Sequence, residues 1–323
     1  MSNTELSNSA PSAFSSSLPS VVIELPYRLC DVFTGTPFHG NQLAVFEDAG
    51  ELTAEEMQRL ANETNLAETT FILRRDPQIE RSEGMRVRIF TTQEELPFAG
   101  HPTLGTAATI RTFFPEYAGA EEIVLDLNVG KVPVRFSADK SRGDTPYGVM
   151  TQRKPTFGAL HDPVKAAAAF GLSLEDLLPK AAPQTVSTGL PFCVVLLRSI
   201  EALGRLQIPL RESATYLDRM GARFCYCLAP VPGEPTAWRS RMQFYNGEDP
   251  ATGSAAGCAI SYLVEHGFVE SGEQVHLRQG VEIGRPSDLF VSARKTSDGI
   301  DQVCVGGSTV PVAKGHVFLR RFT

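Results

Sequence analysis

Two short segments of this 323-residue chain occur twice. Residues 102–108 read PTLGTAA and residues 250–256 read PATGSAA. Upstream of each lies a second echo, TGTPF at 34–38 and TGLPF at 188–192. The matches keep their order and nearly keep their spacing. Gly, Ala, Pro and Thr recur often, so one match alone says little. Two in the same order imply a chain built of two related halves. In this register His101 and Asp249 occupy equivalent places before two helices. A slip of about one helical turn would instead pair His101 with Thr252.

The second copy sits inside NGEDPATGSAAG, residues 246–257. A strand-like run, RMQFY at 241–245, precedes it, and an alanine-rich run follows to about His266. Asp249 suits an N-cap and Pro250 the first helical position. Gly253 lets backbone N–H groups come close to a ligand. A helix N-terminus presents free N–H groups and the positive end of its dipole, which attract anions. The stretch reads as a small-anion cradle with an acid beside it.

A chain of this length favours two domains over one core. Its hydrophobic content of 42% and charged content of 21% are ordinary for a globular protein. The net charge of −7, with only Arg74-Arg75 and Arg320-Arg321 as basic doublets, argues against nucleic acid. No apolar run approaches the ~20 residues of a membrane span. The first residues are rich in Ser, Asn and Pro and lack the basic start and apolar middle of a secretion signal. Residues 1–22 read as a disordered tail and the location as cytoplasmic. The six cysteines are irregularly spaced, and Cys225-x-Cys227 lacks the partner pair of a zinc site. Buried free thiols are the expectation, with no metal.

Strand patterns fall at 27–33, 42–46, 69–73 and 85–91, with a hairpin at 123–127 and 132–136 around Gly130-Lys131. Thr53 and Glu56 form a capping box before an amphipathic helix reaching Asn62. The first glycine-bearing helix is expected over 102–113. The Gly/Pro-rich region 140–155 is the expected crossover between halves, with one strand-like piece at 147–151. The second half repeats the style, with helices near 163–170 and 213–220 and strands at 192–197, 223–229 and 289–293. Short strands with few helices predict an α+β fold with a sheet wrapped round a central helix in each half.

Five side chains could carry chemistry. Glu68, in NLAETTF, is either a partly desolvated carboxylate of raised pKa or a solvated loop glutamate. His101, between Gly100 and Pro102, could bind a substrate through its ring and an anion through its N–H, or could merely cap the helix. Asp249 has the same two readings. Ser254 could face a ligand or bond back to its own turn. Arg285, in a Gly-rich turn after Gln279-Gly280, reads as a surface hairpin or as a carboxylate clamp.

The segments DVFTGTPFHGNQLAVF, NLAETTF, ELPFAGHPTLGTA, STGLPF, EDPATGSAAG and QGVEIGRPS resemble the PhzF family, the phenazine-biosynthesis-like isomerases. They follow the family's order from about Cys30 to Ser287. The resemblance implies the diaminopimelate epimerase fold: two pseudo-symmetric lobes, each a barrel-like, mostly antiparallel sheet around a central helix, with the site between them. It implies residues 23–140 plus 311–323 as the N-terminal lobe and 141–310 as the C-terminal lobe.

It also implies a proton-shuttling isomerase without metal or organic cofactor, acting on a small carboxylate. Glu68, His101 and Asp249 are then the catalytic set. Gly100, His101, Gly253 and Ser254 receive the substrate carboxylate. A homodimer is kept as a possibility. No cysteine lies in GHPTLG or EDPATGSA, so two-thiol racemisation is not expected. Ala67 stands where the family usually has serine, and Gln42 where many members have proline. The alternatives are a lyase or cyclase on the same scaffold, or a non-catalytic binding protein.

Overall fold

A computed structural model describes residues 20–137, 145–245 and 247–322. Most of the expected tail, residues 138–144 and Asn246 lie outside the described residues. Ser20 already begins the first strand, so the expected tail boundary at 22 is too late.

The first half runs β1 (Ser20–Val32), β2 (Asn41–Phe46), α1 (Ala54–Thr64), β3 (Thr69–Leu73), α2 (Pro77–Glu83), β4 (Met85–Phe90), β5 (Glu95–Leu96), α3 (Gly100–Phe113), β6 (Glu122–Leu127), β7 (Gly130–Phe136) and β8 (Tyr147–Thr151). The second runs β9 (Thr156–Leu160), α4 (Pro163–Ala169), β10 (Gln184–Ser187), β11 (Pro191–Leu196), α5 (Ile200–Gly204), α6 (Leu210–Arg219), β12 (Phe224–Val231), β13 (Glu234–Arg241), β14 (Gln243–Phe244), β15 (Gly247–Glu248), α7 (Gly253–Glu265), β16 (Val275–Gln279) and β17 (Ser287–Thr296). The 24-residue β18 (Gly299–Phe322) closes the chain.

In the first lobe the strand order is β1-β2-β3-β4-β6-β7-β8-β18, and β18 pairs back onto β1 to close a barrel. In the second, β18 continues through β17-β16-β13-β12-β11-β10-β9. Each lobe has two parallel pairings, β2 with β3 and β4 with β6, then β11 with β12 and β13 with β16. The two TG-x-PF segments span matching turns, β1 to β2 and β10 to β11. The repeat in the sequence is therefore a repeat of topology. β8 hydrogen-bonds to β7 in the first barrel, so the crossover follows Thr151 instead of residue 140.

Each lobe wraps one helix. α3 and α7 are buried on nearly every face and built of small residues, which lets strands close round them. The hydroxyls that this brings inside are satisfied locally. Thr103 and Thr109 donate to the carbonyls of Ala99 and Gly105, at 2.7 and 2.9 Å. Ser261 does the same to Gly257 at 2.7 Å. Thr53 and Glu56 form the expected capping box of α1.

Candidate active site

The two central helices meet at their N-termini. A Cβ on Gly100 would lie 3.0 Å from the Cα of Gly253, and one on Gly253 would lie 3.3 Å from the Cα of Gly100. Backbone approaches backbone here, and only glycine allows it. Neither helix has a side-chain N-cap. The N–H groups of Gly100, His101, Gly253 and Ser254 carry no hydrogen-bond partner among the described residues. Two positive helix ends thus meet with their free donors side by side.

The helix starts differ from the sequence expectation. α7 begins at Gly253, so Asp249 is not its N-cap and Pro250 is not its first residue. The reason is competition. Asp249 Oδ2 accepts from Thr252 Oγ1 at 2.6 Å, and Oδ1 accepts from Asn41 Nδ2 at 2.7 Å. The carboxylate is occupied sideways, and residues 250–252 stay non-helical. α3 in turn starts before His101, which lies in its first turn. The helix starts therefore pair Gly100 with Gly253 and His101 with Ser254, not His101 with Asp249.

Glu68 ends the loop between α1 and β3, where Asn65 turns the chain in a left-handed conformation (φ 51°). Its carboxylate comes within 3.6 Å of His101 Nε2. The imidazole is buried, which lowers it to about 3, with the Gln42 backbone acting the other way. The ring is neutral at pH 7, so the approach to Glu68 is not an ion pair. His101 Nε2 has no hydrogen-bond partner among the described residues. Burial raises Glu68, and the Asp249 charge raises it further. Burial also raises Asp249, although the bonds from Thr252 and Asn41 pull it back. Two carboxyls sharing one dry site hold one another's protons.

Glu68, Asp249 and Ser254 all line one cavity of about 370 Å³, with Ala67, Leu96, Phe192, Phe224, Met242 and Phe244 as its apolar walls. His101, 4% exposed, lies behind this lining with its Nε2 3.6 Å from Glu68. Glu68, His101, Asp249, Ser254, Gly100 and Gly253 are thus brought together where the two helices meet.

The sequence did not single out the residues that hold this set. Asn41, the first residue of β2, reaches from the first lobe to Asp249 Oδ1, to the carbonyl of Ala251 at 2.9 Å, and to within 3.2 Å of His101 Nδ1. Gln279 is fully buried; its amide donates to the Asp249 carbonyl at 2.8 Å and to Thr252 Oγ1 at 2.9 Å. Arg241 grips Glu248, the residue before Asp249, through two bonds of 2.9 and 2.6 Å. Arg285 is neither a surface hairpin residue nor free to clamp a ligand. It binds Asp31 Oδ1 and the His39 carbonyl at 2.6 Å and the Gly40 carbonyl at 2.8 Å, across the lobes. Asn41 was visible only as a neighbour of the TG-x-PF echo.

A family model described as phenazine biosynthesis-like protein matches residues 30–315. The chain belongs to this family. It is 36% identical over 301 residues to a trans-2,3-dihydro-3-hydroxyanthranilate isomerase from Pseudomonas chlororaphis, covering 91% of this chain and 99% of that one. A solved structure of a predicted epimerase from Pseudomonas aeruginosa matches with a TM-score of 0.76 and 36% identity, over 91% of this chain and 99% of that one. The fold, though not the sequence, extends to a hydroxyproline epimerase from Agrobacterium vitis (TM-score 0.60, 12% identity, 92% of this chain and 93% of that one). This protein is a PhzF-like isomerase with the epimerase fold.

Proposed function

We propose that the enzyme moves a carbon-bound proton on a small unsaturated carboxylate by general acid/base catalysis, using its own side chains. What supports this reading is that Glu68 lines one cavity with Ser254, whose amide is one of the four unpartnered helix-start donors, and comes within 3.6 Å of His101 in the first turn of the other helix. The amides of Gly100, His101, Gly253 and Ser254 hold the substrate carboxylate. Glu68 takes a proton from one carbon and returns it to another, so the step balances without a co-reactant. The electron pair left on carbon delocalises towards the held carboxylate, where the amide donors stabilise the developing charge. Neutral His101 and Asp249 orient the substrate and Glu68.

Burial suits Glu68 to this work, because a raised carboxylate is a stronger base than a solvated one. The substrate belongs to the class of the relatives' dihydro-hydroxyanthranilate, a cyclic unsaturated acid. Ala67 brings a methyl group to the cavity wall where the family usually has a hydroxyl. This favours a substrate different in detail from the relatives'.

The test is deuterium incorporation at carbon during incubation of such acids in deuterated buffer. The native enzyme is expected to label one carbon. Glu68→Gln keeps size and most hydrogen bonding, and its labelling should fall by roughly 10²–10⁴-fold with binding of the acid little changed. Near-native labelling by the variant would move the role to Asp249 or His101.

A further inference from the structure

The cavity has a charged rim that the proton transfer does not use. Arg223 stands just before β12 and lines the cavity from the second lobe. Its backbone is pinned, since its N–H donates to the Pro191 carbonyl at 2.9 Å. Its guanidinium lies 5.7 Å from the ring centroid of Phe224, another wall residue. Other arginines of this lobe are paired with carboxylates: Arg239 with Glu282, Arg241 with Glu248, Arg285 with Asp31. Arg223 is exposed and has no carboxylate within ion-pair distance among the described residues.

Glu94, also exposed and without an ion pair among the described residues, lines the same cavity from the first lobe. Tyr245, on the wall between them, senses both. Burial raises its phenol, Arg223 pulls it down, and Glu94 and Glu68 push it up.

The cavity thus combines less exposed polar groups, exposed charged ones and apolar walls. Glu68, Asp249 and Ser254 are the less exposed of its polar groups. Among the exposed ones a cation stands unpaired on an aromatic shelf. A substrate with one carboxylate would leave that cation without use. We propose that Arg223 is a specificity-determining residue, which selects substrates carrying a second carboxylate at the end remote from the reacting carbons. This rests on the reading of the amide cradle given above. Arginine suits the task because its planar fork takes a carboxylate through two parallel bonds. Binding would also shield the pair from water between Phe224 and Tyr245, where it is stronger than an open surface pair. Glu94 faces the same space, so its charge opposes the second carboxylate and competes for Arg223.

Calorimetric titration with benzoate, isophthalate and terephthalate tests this on the intact enzyme. All three acids offer one carboxylate to the cradle, and the last two offer a second. At least one of the two diacids is expected to bind about tenfold or more tightly than benzoate. Arg223→Gln should abolish that advantage and leave benzoate unchanged, while Glu94→Gln should keep or enlarge it. Arg223 is exposed, so an unaltered melting temperature will show that the variant folds.

The proposal is overturned if neither diacid exceeds benzoate, or if Arg223→Gln keeps the advantage. It is also overturned if Glu94→Gln loses the advantage as Arg223→Gln does. The two residues would then latch the lobes together on each other, not on the ligand. Failure of the native enzyme to bind benzoate at all would instead sink the cradle reading, and it shows before any mutation is made.

Discussion

Glu68 carries a carboxyl that burial and the Asp249 charge both push upward. Its native pKa lies above that of the unfolded chain, so the native state binds more protons between those two values. The stability that Glu68 contributes is fully present below the ordinary glutamate range and is lost as pH rises through the raised value. Glu68→Gln holds a neutral group at every pH. It should therefore be more stable than the native enzyme at alkaline pH, with the difference closing towards pH ~4. Denaturant unfolding of both proteins across pH checks this, and a variant less stable at high pH would refute the shift. Asp249→Asn should lower the Glu68 pKa, because it removes the neighbouring charge that adds to the effect of burial. Infrared or NMR titration of the free enzyme reads this directly.

At the scale of elements, the cleft depends on how closely α3 and α7 approach. Gly253→Ala places a methyl 3.1 Å from the Phe33 ring and 3.3 Å from the Gly100 backbone. The neighbours must move, and overpacking of this kind costs about 1–3 kcal/mol. More telling is where it acts. The free amides shift apart, so affinity for simple carboxylates should fall roughly tenfold, in line with the loss of one charge-assisted hydrogen bond. Calorimetric binding of benzoate to the variant measures it. Unchanged affinity would mean that the carboxylate binds elsewhere. β14 and β15 serve the same end from the other side: the Arg241–Glu248 pair fixes the short hairpin from which Asp249 emerges.

The whole molecule is two lobes stitched by one long strand and one clasp. β18 pairs with β17 and β8 over its first part and with β1 over its last. Arg285 ties the second lobe to Asp31 and to the carbonyls of His39 and Gly40, and the Gly40 N–H returns a bond of 3.1 Å to the Pro286 carbonyl. Asp31 is 1% exposed, so Arg285→Ala would leave a buried carboxylate without its cation. Loss of one partner of such a pair costs about 3 kcal/mol. Thermal unfolding should show that loss, and substrate affinity should fall with it, because Asn41 lies next to Gly40. A variant as stable as the native chain would mean that the β18 connection alone sets the lobes.

The sequence by itself determined the duplication, the α+β class, the capped α1 and the motifs whose residues meet between the two central helices, because these are local patterns. Composition recorded Gly100 and Gly253 but not that their backbones touch. Helix-start chemistry at Asp249 was read wrongly, because the competitor for its carboxylate, Asn41, comes from the other lobe. β13 was missed because its EPTAWRSR reads as polar, and Arg239 and Arg241 become tolerable inside only through Glu282 and Glu248. Gln279 and Arg285 read as surface turn residues for the same reason. Their burial depends on partners distant in sequence, and a single chain read in order shows a polar side chain without showing what satisfies it. Tertiary structure decided which charges are paired, which amides stay open, and that Arg223 has no ion pair among the described residues.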